Sequence, residues 1–233
     1  MVDEARRVDL APLEKHARLG DMAYAAMKER MVRGVFEPRR KFTVRAVADA
    51  LGVSSTPARD ALNRLAAEGA LVYSGPKTVI VPHLTIEALQ EITSMRLVLE
   101  GLAAERGAAR APTGLADSLE EMQAKITEGL ENRQYSDVLG TNKEFHLAVY
   151  RCCGMPHLLS TIETLWLRIG PSFHNLYPEF PIQKYGVHNH QVAIESIREG
   201  DDEAVRAALE SDIRDGYRRL RQAIRAREEQ SGT

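Results

Sequence analysis

The larger, C-terminal part of the chain carries a helical pattern of apolar and polar residues. From Thr85 onward, apolar side chains recur every three or four positions, which places them on one face of an α-helix. Breaks rich in glycine and proline divide the pattern, so it predicts separate helices with one long irregular connection at 171–181. The predicted helices lie near residues 85–110, 114–132, 136–152, 156–169, 183–199 and 201–226.

The first 83 residues show a different pattern, in which short helices are followed by short apolar runs. Thr43 is a good N-cap, Pro57 stands where proline is favoured in a first helical turn, and glycines mark the helix ends. A Ser-Gly-Pro-Lys segment separates the two runs, which is typical of a β-hairpin. Helices are predicted over 14–34, 43–52 and 55–69, and strands over 71–73 and 78–81.

Three short helices followed by a hairpin are typical of a winged helix-turn-helix, in which the third helix enters the DNA major groove. We therefore predict a mainly α protein with two domains. Residues 14–83 form an N-terminal winged helix-turn-helix with a small β-hairpin wing, and residues 84–228 form a C-terminal all-α antiparallel helical bundle. A less specific interpretation is a small alanine-rich helical module that packs against the larger part.

The charge is divided between these two parts. The chain has 233 residues and a net charge of −2, which by itself argues weakly against a nucleic-acid partner. Residues 1–83, however, hold 14 Lys and Arg against 10 Asp and Glu, whereas residues 84–233 hold 17 against 23. A basic module joined to an acidic bundle is the distribution of a two-part DNA-binding protein, although mixed charge on a solvated helix face would look similar.

The composition excludes other classes of protein. No apolar run approaches the roughly 18–20 residues of a membrane span, and the charged start lacks the apolar core of a signal peptide. We therefore expect a cytoplasmic protein with no membrane partner. The two cysteines, Cys152 and Cys153, are adjacent and cannot form a disulfide framework. The sequence has no phosphate-binding glycine loop and no nucleophile elbow, and we expect no enzymatic activity.

The third predicted helix has the surface chemistry of a DNA reader. Its first turn offers hydroxyl groups and backbone N–H groups that suit phosphate. Arginine can read guanine and asparagine can read adenine, each with about 1–3 kcal/mol of discrimination. The candidate DNA-binding residues of this helix are Ser54, Ser55, Thr56, Arg59, Asn63 and Arg64.

The same region resembles the DNA-binding domain of the GntR family over residues 19–82. The resemblance rests on Gly34-x-x-x-Pro38, on Val47-Ala48-x-x-Leu51-Gly52-Val53-Ser54-x-Thr56-Pro57-x-Arg59-x-Ala61-Leu62-x-x-Leu65 and on Glu68-Gly69. It implies a double-stranded, palindromic DNA operator as the partner. It also implies operator contacts from Arg45, Ser54, Ser55, Arg59, Gly75 and Lys77. Ser55 and Arg39 depart from the usual Arg and Gly, so the base preference is left open.

Polar residues in the predicted bundle stand where the helical pattern calls for apolar ones. Several buried polar groups on different helices are costly to bury separately, which favours one shared site. Two imidazoles and a carboxylate suit Zn, Mn, Ni or Fe as a divalent ion. Arg96 would then clamp the carboxylate of a ligand, or else pair with Glu100 one turn along. The candidate residues are Arg96, Asn142, His146, His190 and Asp212.

This half resembles the FCD effector-binding domain, which defines the FadR subfamily of GntR regulators. The resemblance rests on Met95-Arg96-x-x-Leu99-Glu100, on Asn142-x-x-Phe145-His146, and on His190 followed by Ile194, Ile197 and Gly200-Asp201. It implies an all-helical bundle that holds a divalent metal through one Asp and three His, with a small organic acid beside the metal. Asn142 stands where that Asp is usual, and Asp212 where the last His is usual. A metal-free pocket, in which the same residues bind the effector directly, is the alternative.

Together these features predict a homodimeric transcriptional regulator, more a repressor than an activator, whose operator binding responds to a small carboxylate. The effector-binding residues are predicted to be Arg96, Asn142, His146, Arg168 and His190, and the metal ligands Asn142, His146, His190 and Asp212. The alternative function is a metal-dependent enzyme that acts on a small organic acid.

Overall fold

The computed structural model describes residues 16–176 and 185–231. Its N-terminal part contains three helices and three strands, and the fold class agrees with the prediction. In chain order these elements are α1 (His16–Val32), β1 (Lys41–Thr43), α2 (Val44–Leu51), α3 (Ser55–Ala67), β2 (Val72–Gly75) and β3 (Thr78–Ile80).

The turn between α2 and α3 follows the local signals of the sequence. Thr43 caps α2 by accepting a hydrogen bond from the Ala46 amide at 3.2 Å. Gly52 ends the helix in the left-handed conformation, at φ 64°. The two helices then pack through small and branched side chains, among them Ala58 and Leu62, which are fully or almost fully buried. These contacts leave the outer face of α3 exposed.

The wing is a three-stranded antiparallel sheet in the order β1-β3-β2, not the two-stranded hairpin that the sequence predicted. In the extra strand, Phe42 pairs with Val79 and its side chain is buried. β1 has only three residues and runs directly into α2, so its alternation is too short to stand out in the sequence. On the other side β2 pairs with β3, with an irregularity between Tyr73 and Gly75 at the tip.

The C-terminal part is a bundle of helices, close to the predicted set. α4 packs along α9, which also packs against α8, and α5 packs against α6. The predicted irregular connection is a 3-10 helix (Gly170–Leu176) as far as the described residues extend. The rest of that connection and the predicted start of the next helix at 183 lie outside the described residues. The helices are α4 (Ile86–Ala108), α5 (Leu115–Glu131), α6 (Tyr135–Arg151), α7 (Pro156–Ile169), α8 (Tyr185–Glu199) and α9 (Asp202–Ser231).

One hydrophobic cluster runs through both parts of the molecule. It joins Met31 and Leu65 of the winged helix to Phe145 and Trp166 of the bundle. The close approach depends on Gly170, where a Cβ atom would lie 2.7 Å from the Met31 carbonyl oxygen. The winged helix therefore rests directly on α6, α7 and the 3-10 helix. Among the described residues, no helix is long and apolar enough to cross a membrane.

Candidate DNA-binding face and effector site

The exposed residues of the winged helix come from α2, α3 and the wing. Ser54, Ser55 and Thr56 are exposed at the start of α3, and the Ser54 hydroxyl makes no capping hydrogen bond. The first-turn amides of α3 therefore have no side-chain cap from Ser54, which suits the binding of a phosphate. Arg59 is exposed one turn further along the helix.

Two further basic residues flank α3. The side chain of Arg45 at the start of α2 is 92% exposed, and its nearest carboxylate, Asp49 Oδ2, is 3.9 Å away. Lys77 is exposed in the turn of the wing, next to the partly exposed Gly75. A weakly paired, exposed cation costs little to desolvate against a phosphate, so these positions are suited to backbone contacts with DNA.

Asn63 and Arg64 have other partners in the structure. Tyr73 in strand β2 donates a hydrogen bond to Asn63 Oδ1 at 2.8 Å. Bidentate recognition of adenine needs both the oxygen and the nitrogen of the amide, so Asn63 cannot read adenine in this way while the bond to Tyr73 persists. Arg64 pairs with Asp21 of α1 at 2.5 Å and stacks on the Tyr24 ring. These two residues therefore tie α3 to the wing and to α1.

In the bundle, three predicted ligands from three helices meet. His146 of α6, His190 of α8 and Asp212 of α9 each place one donor atom within 4.8 Å of the others. His146 Nε2 lies 3.2 Å from Asp212 Oδ2 and 3.4 Å from His190 Nε2. Both histidines are completely or almost completely buried. Residues 44 and 22 positions apart are brought to one point by the packing of α8 between α5 and α9.

The hydrogen bonds that His146 makes away from the cluster determine which ring nitrogen carries the proton and which has a free lone pair. Its Nδ1 lies 3.0 Å from the Tyr150 hydroxyl, which donates its single proton to Glu100 Oε2 at 3.0 Å. The hydroxyl must therefore accept from His146, so Nδ1 carries the proton. In the neutral ring, Nε2 then points its lone pair at Asp212 and His190.

The same reasoning applies to His190. Its Nδ1 lies 2.6 Å from Gln123 Oε1, an acceptor, so Nδ1 donates and Nε2 carries the lone pair. The amide of Gln123 is held in this orientation because its Nε2 donates to Thr127 at 3.2 Å. Phe145 stacks on the His190 ring with a centroid distance of 3.8 Å. Gln123 and Phe145 thus fix the position and the tautomer of this imidazole.

Two lone pairs and a carboxylate oxygen therefore converge. Because these three electron-rich groups repel one another, their approach needs a positive charge between them. That charge is either an extra proton on an imidazole or a metal cation. Burial lowers the pKa of His190 to about 4, despite the opposing charge of Asp212. Burial alone would raise the pKa of Asp212, but the pKa is lowered by a hydrogen bond from His146 and the charge of His190 when these imidazoles are protonated, and by the charge of Arg96. A neutral imidazole and an ionised carboxylate are the forms that bind metals, so the donor set fits a divalent ion.

Glu100 is the centre of a buried network behind the cluster. It is fully buried and accepts hydrogen bonds from Arg96 Nε at 2.5 Å, from Tyr150 and from Trp166 Nε1 at 3.1 Å. The Arg96 guanidinium also lies 4.5 Å from the centre of the Trp166 ring. Of the two interpretations of Arg96, the structure has it paired with Glu100, and Arg96 lines the cavity with its charge already compensated.

A cavity of about 100 Å³ opens beside the cluster. Asn142 lines it, one turn before His146, and takes part in none of the hydrogen bonds found among the described residues. Its amide is a weak metal ligand, and Asp212 supplies the carboxylate instead. Arg219 of α9 also lines the cavity, which the sequence did not predict.

Arg168 is not among the residues that line this cavity, so the geometry does not support its predicted contact with an effector. Its Nε donates a hydrogen bond to the Glu68 carbonyl oxygen at the end of α3, at 2.8 Å. Trp166, two positions earlier on α7, does line the cavity. Residues two apart on a helix face different sides, so α7 carries a cavity residue and a residue in contact with the winged helix.

Two residues that orient the cluster were missed, and only one of them left a signal in the sequence. Gln123 is a polar residue on the apolar face of α5, between Leu119 and Ile126, and the rule that selected His190 would have selected it. Tyr150 stands one turn after His146 on the same helix face. Its role could not be recognised, because a tyrosine in an apolar pattern is usually core.

A winged helix with an exposed third helix, joined to a helical bundle that encloses a polar cluster, is the architecture of a ligand-responsive transcriptional regulator. Residues 19–79 match the bacterial regulatory proteins of the gntR family, and residues 91–215 match the FCD domain. The chain therefore belongs to the GntR family of transcriptional regulators and carries an FCD domain, as the sequence predicted.

Individual relatives agree with this assignment. The chain is 30% identical to the HTH-type transcriptional regulator McbR of Escherichia coli K12, over 84% of this chain and 89% of that protein. The structure of E. coli McbR/YncC has a TM-score of 0.83 at 27% identity and covers 88% of this chain and 97% of its own. A GntR regulator from Rhodococcus sp. RHA1 shares the fold at a TM-score of 0.70 and 16% identity, over 88% and 97%.

Proposed function

We propose that the protein is a homodimeric repressor that binds a palindromic operator through its winged helix. Its affinity for the operator would rise or fall when a small carboxylate binds in the bundle. The proposal is carried by one observation, the convergence of two imidazole lone pairs and a carboxylate beside a cavity. The relatives are transcriptional regulators, which favours this function over the alternative of a metal-dependent enzyme.

The DNA contacts are assigned to exposed groups of α2, α3 and the wing. The hydroxyl groups and amides of the first turn of α3 would bind phosphate, and Arg59 would reach the edges of bases in the major groove. Arg45 and Lys77 would contact the flanking backbone. Asn63 and Arg64 would hold α3 in position, because their side chains already bind the wing and α1.

In the bundle, His146, His190 and Asp212 would hold a divalent ion, with Asn142 as a weaker fourth ligand. A bound ion supplies a Lewis-acidic charge that attracts a carboxylate oxygen. Tyr150 and Gln123 keep the two imidazoles in the tautomer that this requires. Phe145 holds the His190 ring in its orientation, so the donor atoms stay in place without a ligand.

Two direct contacts would transmit occupancy of the cavity to the winged helix. Trp166 lines the cavity, and Arg168 on the same helix binds the end of α3. Phe173 of the 3-10 helix lines the cavity, and the neighbouring His174 donates from Nδ1 to the Gly34 carbonyl oxygen at 3.0 Å. A ligand that moves α7 or the 3-10 helix therefore changes the support of α1 and α3, provided that it binds the two arrangements with different affinity.

The test is operator binding by protein with and without metal. An operator is first selected from a random DNA pool with the purified protein, and metal content is measured by elemental analysis. We expect about one divalent ion per chain, its loss in His190→Ala, and a change in operator affinity of roughly fivefold or more on adding an effector, the usual size of allosteric coupling. His188→Ala is the matched control, because His188 is exposed on the same helix. Protein that binds no metal, or an operator affinity identical in His190→Ala and wild type under all conditions, would contradict the proposal.

A further inference from the structure

We infer that the basic end of α9, residues 214–227, is a second DNA-binding surface, which contacts the phosphate backbone of the duplex that flanks the operator. This inference rests on the operator binding proposed above and adds a surface that belongs to the bundle and not to the winged helix. The charge of this segment, the pairing of its side chains and its position beside the winged helix lead to this conclusion.

The basic end of α9 differs in charge from the rest of the bundle. Residues 214–227 contain six arginines and a single acidic residue, Asp215. The other residues from 84 to 233 contain 11 Lys and Arg against 22 Asp and Glu. The acidic total of the bundle therefore conceals a local positive charge. Arginines concentrated on one element are typical of surfaces that bind phosphate, whereas the acidic remainder of the bundle would repel a DNA backbone.

Four of these arginines lie in a row on one side of α9, because they are spaced by four, three and four residues along the helix. The row is about 16 Å long at a rise of about 1.5 Å per residue. Each DNA strand places a phosphate about every 3.4 Å along the duplex axis, so a row of this length spans several phosphates of one strand. The four residues are Arg214, Arg218, Arg221 and Arg225.

The second half of this row is not paired within the part of the chain that the structure describes. Arg214 and Arg218 form ion pairs with carboxylates of α9 itself. Arg221 and Arg225, in contrast, form neither an ion pair nor a hydrogen bond with any described residue, and the Nε atom of Arg221 is buried without an acceptor. A guanidinium that is not already paired can bind a phosphate oxygen without first giving up a carboxylate.

An open groove of about 510 Å³ follows this half of the row. Its one acidic lining residue, Glu229, lies at the far end and has an interaction of its own. An open groove along a helix suits an extended polyanion better than a small ligand, which binds in an enclosed pocket. The lining residues are Arg218, Arg221, Gln222, Arg225, Ala226 and Glu229.

Packing against α4 brings the basic end of α9 towards the winged helix. Glu105, late on α4, pairs with Arg206, early on α9, at 2.8 Å. Leu89, early on α4, packs in one cluster with Leu220, late on α9. The two helices are therefore antiparallel, and the basic end of α9 lies at the start of α4. Only residues 81–85 separate that start from strand β3 of the wing.

The 3-10 helix joins the same two regions from another side. Phe173 packs in one cluster with Leu220 and Ile224 of α9, and the next residue, His174, hydrogen-bonds to the winged helix. Helix α1 of the winged helix also packs against the 3-10 helix. Each of the two unpaired arginines directly follows one of these α9 residues along the chain. DNA that continues past the winged helix on this side would therefore meet a second set of cations.

The test measures binding of the full-length protein to two duplexes that contain the same selected operator. One duplex ends at the operator, and the other continues on each side for one helical turn, about 10 base pairs, of unrelated sequence. We expect the wild type to bind the longer duplex at least about threefold more tightly at low salt. The dependence of log affinity on log salt should be steeper by about 1 for each added phosphate contact.

A double variant removes the two unpaired charges. Arg221→Gln with Arg225→Gln keeps good helix-forming residues at both positions. We expect this variant to lose the gain from the longer duplex and to bind the short duplex like the wild type. The matched control is Arg106→Gln with Lys125→Gln, which removes the same charge from exposed positions on α4 and α5 and should keep the full gain. Melting temperatures equal to that of the wild type show that both variants fold.

The outcomes separate this inference from the function on which it rests. If the double variant keeps the gain, or the control loses as much of it, the flanking contact does not come from the basic end of α9 and the inference is overturned. Weaker self-association of the double variant without DNA, measured by sedimentation, would also overturn it and assign these arginines to a contact between two copies of the chain. Equal binding of both duplexes by the wild type would refute the flanking contact and leave operator binding by the winged helix in place. Failure of the wild type to bind any operator would instead overturn the proposed function.

Discussion

The winged helix and the bundle place their functional residues in opposite environments. Ser55, Arg59 and Lys77 are exposed and have no close charged partner among the described residues, so each would act on DNA separately. His146 and His190 are buried and depend on neighbours for tautomer, position and charge. The difference indicates that a change on the DNA face should alter one contact, whereas a change in the bundle should disturb a connected network.

Glu100→Ala should have the largest effect and would test whether the network behaves as a unit. It leaves the Arg96 charge buried without its partner and removes the acceptor of Tyr150 and Trp166. We expect the free energy of unfolding to fall by about 3–5 kcal/mol, measured by urea denaturation. Glu105→Ala, on the same helix with a more exposed partner in Arg206, should cost about 1 kcal/mol or less. Equal losses in the two variants would refute the distinction.

Acidification should destabilise the metal-free bundle through His190. Burial lowers the pKa of His190 in the native state to about 4, whereas an imidazole in the unfolded chain has its ordinary pKa of about 6.5. Below pH 6.5 the unfolded state therefore binds a proton that the native state does not. The contribution of His190 to the free energy of unfolding is therefore fully present above pH 6.5. It is lost as the pH falls towards 4, by up to roughly 3 kcal/mol. Urea titrations of chelator-treated protein across this range should show the slope, and His190→Gln should flatten it.

Arg59→Ala should weaken operator binding without disturbing the fold. The side chain is exposed, so we expect a loss of about 1–3 kcal/mol in binding free energy and little change in the melting temperature. Gel-shift titrations at several salt concentrations measure the loss. Arg106→Ala, an exposed arginine of α4, is the control in the bundle. An unchanged affinity and salt dependence in Arg59→Ala would contradict the assignment of α3 to the DNA contact.

Arg168→Ala should have the smallest effect on stability, because the Arg168 side chain joins the bundle to the winged helix through a single hydrogen bond. Loss of the contact to the Glu68 carbonyl should cost about 1 kcal/mol or less. Amide hydrogen exchange at the end of α3 should accelerate, while zinc binding stays the same. Slower exchange, or a loss of zinc, would show that Arg168 does not act as this link.

Most of the fold was predictable because the relevant signals are local. The caps at Thr43 and Gly52 and the period of the apolar residues define helices whose bounds depend on nearby residues alone. The strand Lys41–Thr43 was missed, since it is held by pairing with residues almost forty positions away and by the burial of Phe42. The position of Arg168, on the side of α7 away from the cavity, could not be predicted either. Helical spacing does not tell which side of α7 faces the bundle.

By itself, the sequence determined the two-part architecture, the exposed chemistry of α3 and the residue types of the cluster. These properties follow from local propensity, apolar periodicity and the cost of burying polar groups. Only the tertiary structure decided that His146, His190 and Asp212 meet, that Tyr150 and Gln123 orient the imidazoles, and that a cavity opens beside them. The physical reason is that tautomers, lone-pair directions and cavity shape depend on contacts between distant helices, which no spacing along the chain records.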